Sequence, residues 1–411
     1  MSTTDQAADV PVGRIAALRS RWAPGRWNVD AAALTVVTFV LVLLGLVMSF
    51  SASIVDAAEQ GRPFAVLVRQ ILWATIGTVG FAVAASLDHR FWRRVSWPLL
   101  LVAFVGLLLL LVPGVGDERF GSTRWIQFGP LSLQPSELMK LAALLWVADV
   151  LERKRPRDGS LQTVPHLLIP AIPLLLLMGL LVLLQPDLGT TILLALIIGA
   201  ILWVEGLPGR YVAAAAGAGI AAIGVLSVTA SYRMQRFQGW LAPEADPAGA
   251  GFQLLQSWVA LGSGGLLGVG LGSSRGKWHF LPNPETDFIF AIIGEELGLV
   301  GALVVLTLFA LLLYLGLRVA YAVPHGFGRT VAFAITAWLV GQALINIGTV
   351  IGLLPITGVT LPLVSVGGSS LVTTLVALGI LVAVARSQPA PTERRQRRPS
   401  PRAVELRGVR S

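Results

Sequence analysis

One acidic residue and four basic residues carry most of the chemistry that this sequence offers. The acid is Asp287, which follows Thr286 and opens the apolar run at Phe288. A carboxylate that enters a helix from a loop can act as a general base toward a hydroxyl group. Basic side chains beside a membrane suit a polyanionic headgroup such as a diphosphate, and the candidates are Arg124, Lys140, Arg236 and Lys277. Together these residues fit a transferase that acts on a lipid-linked diphosphate sugar.

The same positions also have structural interpretations. Glu137 and Lys140 lie three residues apart on one helix face, so the sequence supports an ion pair and a substrate contact equally. Asp187 precedes the apolar run at Leu188, which favours a helix N-cap over a catalytic role. Asp287 fits an N-cap and a catalytic base equally well, and the arginines in the loops could contact lipid headgroups.

Two further acids lie inside the apolar run that follows Asp287. Glu295 lies roughly 80° around an ideal helix from Asp287, so we expect it to face the same cavity. Glu296 falls on the opposite face, where we expect a polar contact with another helix. Charged groups at membrane depth are costly and tend to mark function.

Two glycine-rich stretches do not support nucleotide binding. Residues 262–272 never match G-x-G-x-x-G, and no predicted strand precedes them. Gly276-Lys277 resembles the end of a P-loop, but Leu271 replaces the required first glycine and Trp278 replaces Ser or Thr. The glycine spacings instead favour close helix packing.

Metal and thiol chemistry have little support in the composition. The chain has no cysteine, which excludes disulfides, thiolate metal sites and a cysteine nucleophile. Its histidines are scattered and do not resemble a metal site: His89, His166, His279 and His325. No cofactor is indicated with certainty, and the acids near the long loops leave a divalent cation on a diphosphate open.

The elements that must position these groups are transmembrane helices. Of 411 residues, 55% are hydrophobic and 13% are charged, against roughly 25% charged in soluble domains. Apolar runs of about 20 residues match the roughly 30 Å of a bilayer core. We therefore predict an all-α, polytopic integral membrane protein with about ten spans, at 31–50, 65–86, 97–112, 135–152, 165–184, 188–204, 211–230, 288–316, 330–350 and 369–386.

The distribution of basic residues predicts the orientation in the membrane. With both termini in the cytoplasm, the inside segments hold 22 of the 31 Lys and Arg residues, as the positive-inside rule requires. The net charge of +9 therefore reflects topology and does not indicate nucleic-acid binding. Residues 1–30 and 387–411 are predicted to be cytoplasmic tails, the second basic and disordered and suited to contact membrane lipid.

Two loops are long, and both are predicted to lie outside the cell. They are 113–134, after the third span, and 231–287, after the seventh. Long loops without obvious structure of their own are usually functional. Most of the candidate residues above lie in these loops or where a helix joins them.

Six stretches of the sequence carry a family resemblance, at 134–140 (QPSELMK), 185–190 (QPDLGT), 236–237 (RF), 262–265 (GSGG), 286–298 (TDFIFAIIGEELG) and 355–370 (PITGVTLPLVSVGGSS). In this order they resemble the SEDS family, which includes FtsW, RodA and SpoVE, over residues 31–386. The resemblance implies a ten-helix membrane domain across that range. It also implies a peptidoglycan glycosyltransferase that polymerises lipid II.

The resemblance also implies roles for particular residues. The essential acid of the family corresponds to Asp287, which would take a proton from the 4-hydroxyl of GlcNAc while undecaprenyl diphosphate leaves. Arg124, Trp125 and Lys140 match positions that line the substrate cavity of the family. Further matches receive no firm role, and they are Glu295, Ser365, Gly368 and Ser369.

This chain departs from the family pattern at two places. Thr123 stands where the family usually has a second basic residue, which weakens a two-arginine clamp on a diphosphate. Pro284-Glu285 replaces the Ala-His that commonly precedes the essential acid, which excludes a histidine role there.

Within the family, the sequence favours an FtsW-like division enzyme over a RodA-like elongation enzyme. The resemblance implies a class B penicillin-binding protein and other division proteins as partners, and the division septum of a bacterial plasma membrane as the location. A lipid II flippase is the main alternative, although Gln342 and Asn346 are nearly the only polar groups deep in the ninth span. A non-catalytic scaffold is the third interpretation.

Overall fold

Helices form most of the described chain. The computed structural model describes residues 27–119, 122–129, 131–155, 163–228, 231–282, 284–324 and 326–387. The predicted tails at 1–30 and 387–411 lie outside these ranges except for residues 27–30 and 387. The helices are α1 (Val29–Glu59), α2 (Ala65–Ser86), α3 (His89–Leu109), α4 (Pro135–Arg153), α5 (Val164–Leu183), α6 (Leu188–Val204), α7 (Gly209–Val228), α8 (Ser231–Leu241), α9 (Phe252–Ser263), α10 (Ile289–Ala322), α11 (Phe327–Val350) and α12 (Gly368–Arg386).

Each of the ten predicted spans corresponds to a helix in the structure. Among the described residues, seven helices are long and apolar enough to cross a membrane: α1, α2, α3, α5, α10, α11 and α12. Three more helices correspond to the remaining predicted spans. Of these, α4 carries several charged residues and α6 has 17 residues, and α7 covers the predicted span 211–230 as far as Val228, where the described range ends. The prediction of a helical, polytopic membrane protein is confirmed.

Local sequence explains where several helices begin. The Asn28 side chain accepts a hydrogen bond from the Ala31 amide at 2.8 Å, and Asp88 accepts one from the Arg90 amide at 2.8 Å. Pro135 occupies the first turn of α4, where its missing N–H costs nothing. These caps satisfy amide groups that have no partner within their own helix.

The centre of the bundle is formed by α11 and α12. In their most apolar windows 72% and 78% of residues are buried, against 28% for α2 and 22% for α3. The exposed apolar side chains of α2 and α3 include Val68, Val79 and Leu101. An apolar exterior of this kind faces hydrocarbon in a membrane protein, so α2 and α3 lie at the periphery.

The first long loop contains a small sheet, which the all-α prediction missed. Three antiparallel strands, β1 (Asp117–Arg119), β2 (Ser122–Phe128) and β3 (Leu131–Leu133), pair in the order β1-β2-β3. Gly129, with φ of 60°, lies in the turn between β2 and β3. The sequence did not predict β1 and β3, because a three-residue strand shows no recognisable alternation.

The second long loop is also ordered into elements. It contains α8, α9, a 3₁₀ turn at Pro243–Ala245 and a π-helical turn at Gly276–Phe280. Both long loops leave the same end of the bundle, where α3 joins α4 and where α7 is connected to α10. We call this end the long-loop face and the other end the opposite face.

Helix α10 is broken at Gly298, which has φ of 69° and ψ of −163°. The amides of Val269 and Gly270 donate to the carbonyls of Glu295 and Glu296, at 2.9 and 3.0 Å. On the C-terminal side of the break, the Leu299 amide donates to the Gly265 carbonyl at 2.9 Å. The second loop thus replaces the helical hydrogen bonds that the break removes, as irregular backbone among transmembrane helices requires.

Substitution of Gly298 by alanine is expected to destabilise the protein. A Cβ there would lie 2.3 Å from the Gly268 nitrogen and 2.6 Å from the Leu266 carbonyl oxygen, in a backbone conformation that costs other residues about 1–3 kcal/mol. We expect thermal unfolding of Gly298→Ala in detergent several degrees below the wild type. The control is Gly217→Ala, which adds its Cβ in open space. An unchanged midpoint for Gly298→Ala would contradict the broken-helix geometry.

Candidate active site

Asp287 lies at the long-loop face, immediately before α10. The helix begins at Ile289 with Phe288 as its N-cap residue and without a side-chain cap, so the N-cap interpretation of Asp287 does not hold. Its side chain is partly buried, whereas Phe288 and Ile289 are fully buried. Asp287 therefore lies at the edge of the apolar core, with its carboxylate largely desolvated.

Charged groups from three other elements act on the Asp287 carboxylate. Burial raises the pKa of Asp287 above its ordinary value, whereas Arg236 on α8 and Arg124 on β2 act to lower it. The Thr286 side chain also lowers the pKa, through a hydrogen bond, and Asp187 raises it. The long-loop face therefore places one acid within electrostatic range of two guanidinium groups.

Arg124 is held against the turn between α5 and α6. Its Nε donates to the Gln185 carbonyl at 3.1 Å, and its Nη2 donates to the Pro186 carbonyl. Its Nη1 lies 4.0 Å from Asp187 Oδ1. Trp125 is the next residue on β2, and successive strand residues point to opposite faces, so Trp125 does not share the face of Arg124.

Asp187 caps α6, as the sequence favoured. Its Oδ1 accepts a hydrogen bond from the Thr190 amide at 3.0 Å, and its Oδ2 accepts one from the Thr190 hydroxyl at 2.8 Å. The Gln134 side-chain amide donates to Oδ2 at 3.4 Å. Because Asp187 also affects the pKa of Asp287, the cap belongs to the wall of the site.

Lys140 lies inside the protein, in contrast to its predicted position at the substrate. It is 0% exposed, and its Nζ donates to Glu137 Oε1 at 2.9 Å and to Gln342 Oε1 at 3.3 Å. The Nζ also lies 5.1 Å from the ring centroid of Trp338. The sequence left an ion pair and a substrate contact open, and the structure contains the ion pair. Because Lys140 is fully buried, it cannot contact a lipid headgroup directly.

Lys277 and Glu295 anchor the second loop and do not face Asp287. Lys277 is 3% exposed, lies 3.3 Å from Glu296 Oε1 and donates to the Gly272 carbonyl. Glu295 accepts hydrogen bonds from the Arg275 amide at 2.8 Å and from the Ser274 hydroxyl. The predicted substrate contact of Lys277 and the predicted cavity position of Glu295 are therefore corrected: helix periodicity could not anticipate a loop that folds back onto α10.

Glu296 makes the interhelical contact that the sequence predicted. It is fully buried, and the Ser51 hydroxyl of α1 lies 2.7 and 2.6 Å from its two carboxylate oxygens. The Ser274 amide donates to Oε1 at 3.3 Å. The acid thus joins α1, α10 and the second loop.

The two serines of the last motif contact the segments that hold the candidate residues. The Ser365 hydroxyl donates to the Thr286 carbonyl at 2.6 Å. The Ser369 hydroxyl accepts a hydrogen bond from the Gln134 amide at 3.1 Å, at the start of α4. Sequence reasoning gave these serines no role, because their partners are 79 and 235 residues away.

Sequence reasoning noted Asn346 as a deep polar residue but did not connect it to the site. Its side-chain amide donates to the Asp287 carbonyl at 2.8 Å. A buried amide in an apolar span was the available signal, because such a residue requires partners inside the protein.

The described residues do not form a metal site by themselves. Within those ranges no three His, Cys, Asp or Glu side chains converge as a metal-binding group. Mg²⁺ commonly uses one or two carboxylates together with phosphate oxygens of its substrate. Asp287 and Asp187 are the carboxylates that could take part in such an arrangement.

Fold and site together define a polytopic membrane protein that presents a carboxylate and two guanidinium groups at one end of its helix bundle. The family model FtsW/RodA/SpoVE, described as cell cycle protein, matches residues 31–389. The chain belongs to this family.

Curated relatives match most of the chain. It is 43% identical over 354 residues to a protein of Mycobacterium tuberculosis named probable peptidoglycan glycosyltransferase FtsW, covering 86% of this chain and 67% of the relative. It is 40% identical over 354 residues to stage V sporulation protein E of Bacillus subtilis, covering 86% and 96% of the two chains.

Solved structures share the fold. A chain from a structure titled as structural coordination of polymerization and crosslinking by a peptidoglycan synthase complex is 32% identical, with a TM-score of 0.71, covering 88% of this chain and 98% of that one. The rod shape determining protein RodA of Thermus thermophilus is 29% identical, with a TM-score of 0.64, covering 86% and 96%.

The buried ion pair in the second loop generates a stability prediction. Lys277→Met would leave Glu296 buried without its cation, and breaking a buried pair in this way costs about 3–5 kcal/mol. We expect a clearly lowered thermal midpoint, and partial recovery when Glu296→Gln is added, because the double variant buries no charge. If the single variant keeps the wild-type midpoint, Lys277 does not stabilise the loop.

Proposed function

We propose that this chain is a peptidoglycan glycosyltransferase that polymerises lipid II into glycan strands, with Asp287 as its general base. The observation that carries the proposal is the position of Asp287. Asp287 is a partly exposed residue at the long-loop face, and both Arg124 and Arg236 act on its carboxylate. The family and the names of its members supply the reaction, and the geometry supplies the residues.

The reaction requires a base beside a hydroxyl group. In each cycle the 4-hydroxyl of one sugar attacks the anomeric carbon of another, and its proton passes to the Asp287 carboxylate. The bond between the anomeric carbon and the diphosphate oxygen breaks as the new glycosidic bond forms, and undecaprenyl diphosphate leaves. Because burial raises the pKa of Asp287, its carboxylate is a stronger base than a solvated one.

Arg124 and Arg236 are the cations available to the diphosphate. Arg236 is exposed, and its Nη1 lies 3.5 Å from the Ile356 carbonyl. Arg124 is partly buried, donates hydrogen bonds to two carbonyls and lies near two acids, Asp187 at 4.0 Å and Asp287, whose pKa it lowers. Guanidinium groups match phosphate oxygens in geometry and charge, so this pair replaces the predicted contacts of Lys140 and Lys277. Trp125 lies on the other face of β2 from Arg124, so we do not assign it a contact with the sugar beside this pair.

Ion pairs join helices at the opposite face, which favours polymerisation over flipping. Asp149 is fully buried and lies 2.7 Å from Arg93 Nε and 2.8 Å from Arg153 Nη2. Arg155 lies 2.6 Å from Glu205 and joins the ends of α4 and α6. A flippase needs a polar path open to both faces, whereas these charged groups at the opposite face are engaged in ion pairs with one another.

We assign the long-loop face to the outside of the cell and both termini to the cytoplasm, as the basic residues predict. The substrate would then be lipid II that has already crossed the membrane. A class B penicillin-binding protein is the proposed partner. One structural relative comes from a peptidoglycan synthase complex described as coordinating polymerization and crosslinking. The higher identity to relatives named FtsW and SpoVE than to RodA favours a role in division, at the septum with other division proteins.

Asp287→Asn tests the base directly. Asparagine keeps the size of the side chain but cannot accept the proton, so we expect loss of glycan polymer with unchanged thermal stability. The measurement is gel analysis of products from lipid II with the purified chain and its partner. The control is Asp246→Asn, which changes an acid of the second loop that caps the Ala250 amide. Normal polymer from Asp287→Asn would refute the assignment.

The pH dependence should report the same carboxylate. The base acts only when ionised, so kcat is expected to fall as the pH drops through the pKa of Asp287, above the range of an ordinary carboxyl. Arg236 lowers that pKa, so Arg236→Ala should move the acidic limb of the plot of kcat against pH to higher pH. Arg275→Ala, at an exposed arginine of the second loop, should leave the limb in place. A limb that moves to lower pH in Arg236→Ala would contradict the electrostatics.

A further inference from the structure

Three consecutive carbonyl groups in the turn that carries Asp287 are held from outside that turn. The Val366 amide donates to the Glu285 carbonyl at 2.9 Å. The Ser365 hydroxyl donates to the Thr286 carbonyl at 2.6 Å, and the Asn346 side-chain amide donates to the Asp287 carbonyl at 2.8 Å. The donors come from α11 and from the segment that precedes α12.

We propose that Ser365 and Asn346 are positioning residues that fix the backbone of Asp287 for proton transfer. This inference rests on the proposed function, because it assumes that Asp287 is the base. Neither residue would touch the substrate in this role. Each would act by setting the place of the Asp287 carboxylate.

Ser365 is suited to this role because its hydroxyl both donates and accepts a hydrogen bond. It donates to the Thr286 carbonyl and accepts a hydrogen bond from the Leu361 amide at 2.9 Å. The residue is 5% exposed, so water does not readily replace these partners. One side chain therefore fixes the segment 361–365 and the turn before α10 to each other.

Asn346 makes the equivalent connection from α11. Its Nδ2 donates to the Val359 carbonyl at 2.8 Å in addition to the Asp287 carbonyl. Asn346 is 2% exposed within an apolar helix, where a polar side chain is costly unless it is paired. Both of its donor hydrogens are directed to the backbone around Asp287, which explains an amide at this position.

The same segment also forms a wall beside the carboxylate. A Cβ at Gly358 would lie 3.7 Å from Asp287 Oδ2. One helical turn before Asn346, Gln342 donates to the Thr360 carbonyl at 3.0 Å and accepts from Lys140 Nζ. The buried pair of Lys140 and Glu137 is thereby connected to the segment that holds the base. Displacement of a reacting group by about 1 Å can cost about 100-fold in rate.

The test compares Ser365→Ala and Asn346→Leu with matched controls. Ser49→Ala removes a buried hydroxyl that donates to the neighbouring Val364 carbonyl at 3.2 Å. Thr349→Val removes a buried hydroxyl of α11 that donates to the Pro355 carbonyl at 3.3 Å. Both controls lose a bond to the same segment without losing a bond to the Asp287 turn.

We expect Ser365→Ala and Asn346→Leu to lower kcat about 10–100-fold with little change in KM, measured as lipid II polymerisation by the complex with its partner. Ser365→Thr should restore most of the activity, since it keeps the hydroxyl. The controls should keep kcat within about twofold. Thermal midpoints of all variants show whether each variant folds. If Asn346→Leu does not fold, the milder Ser365→Ala tests the positioning role.

The pH profile separates positioning from simple structural support. Arg236 of α8, Arg124 of β2, Asp187 before α6 and Glu285 of the same turn are the charged groups around Asp287, with Asp56 and Arg69 beside Glu285. When the turn is released, the carboxylate becomes more solvated, so the acidic limb of kcat should move to lower pH. A loss of folded protein would lower kcat equally at every pH.

The outcomes distinguish this inference from the proposed function. Polymer from Asp287→Asn would overturn the base and the positioning role together. An inactive Asp287→Asn with unchanged kcat and unchanged pH profile in Ser365→Ala and Asn346→Leu would overturn only the positioning role. Equal losses in the controls, with no shift of the acidic limb, would also overturn it.

Discussion

The backbone carbonyl groups around Asp287 lie where little water is available to donate hydrogen bonds to them. The structure therefore depends on side-chain donors from distant parts of the chain. Asn346 and Ser365 supply these donors. An unpaired peptide group inside a protein costs about 1–3 kcal/mol, so irregular backbone at this depth persists only where partners are built in. The break of α10 at Gly298 follows the same rule, since the second loop pairs with the freed groups on both sides of it. The fold can therefore place a non-helical turn, and an acid on it, against the core of a helix bundle.

Charge is used in two different ways on the long-loop face. Lys140 and Lys277 are buried and pair with Glu137 and Glu296, where they connect elements and are removed from solvent. Arg124 and Arg236 retain more exposure and act on Asp287 across space. The distinction follows from desolvation, because a buried cation requires a fixed anion beside it, whereas a partly exposed one remains able to meet a phosphate. The proposed contacts with a lipid diphosphate are therefore assigned to Arg124 and Arg236, the two arginines that keep more exposure.

The sequence predicted much of the fold because the bilayer imposes a simple requirement. A span needs about 20 apolar residues, and each predicted span corresponds to a helix in the structure. The predicted cap at Asp187 was also correct, since capping is decided by residues within one turn. The three-stranded sheet and the ordered second loop were not predicted, because their short elements are specified by contacts with the bundle and not by periodicity.

For the site, the sequence by itself determined the position of the candidate acid, the spacing of Glu137 and Lys140 and the membrane-spanning character of the chain. These properties are local: they depend on residue type, helix geometry and apolar length. Only the tertiary structure decided which cations remain available, because the burial of Lys140 and Lys277 depends on partners 202 and 19 residues away. It also gave Ser365 and Asn346 their contacts with the turn of Asp287. Hydrogen bonds between residues 59 and 79 positions apart have no periodic signature, and they exist only once the helices have packed.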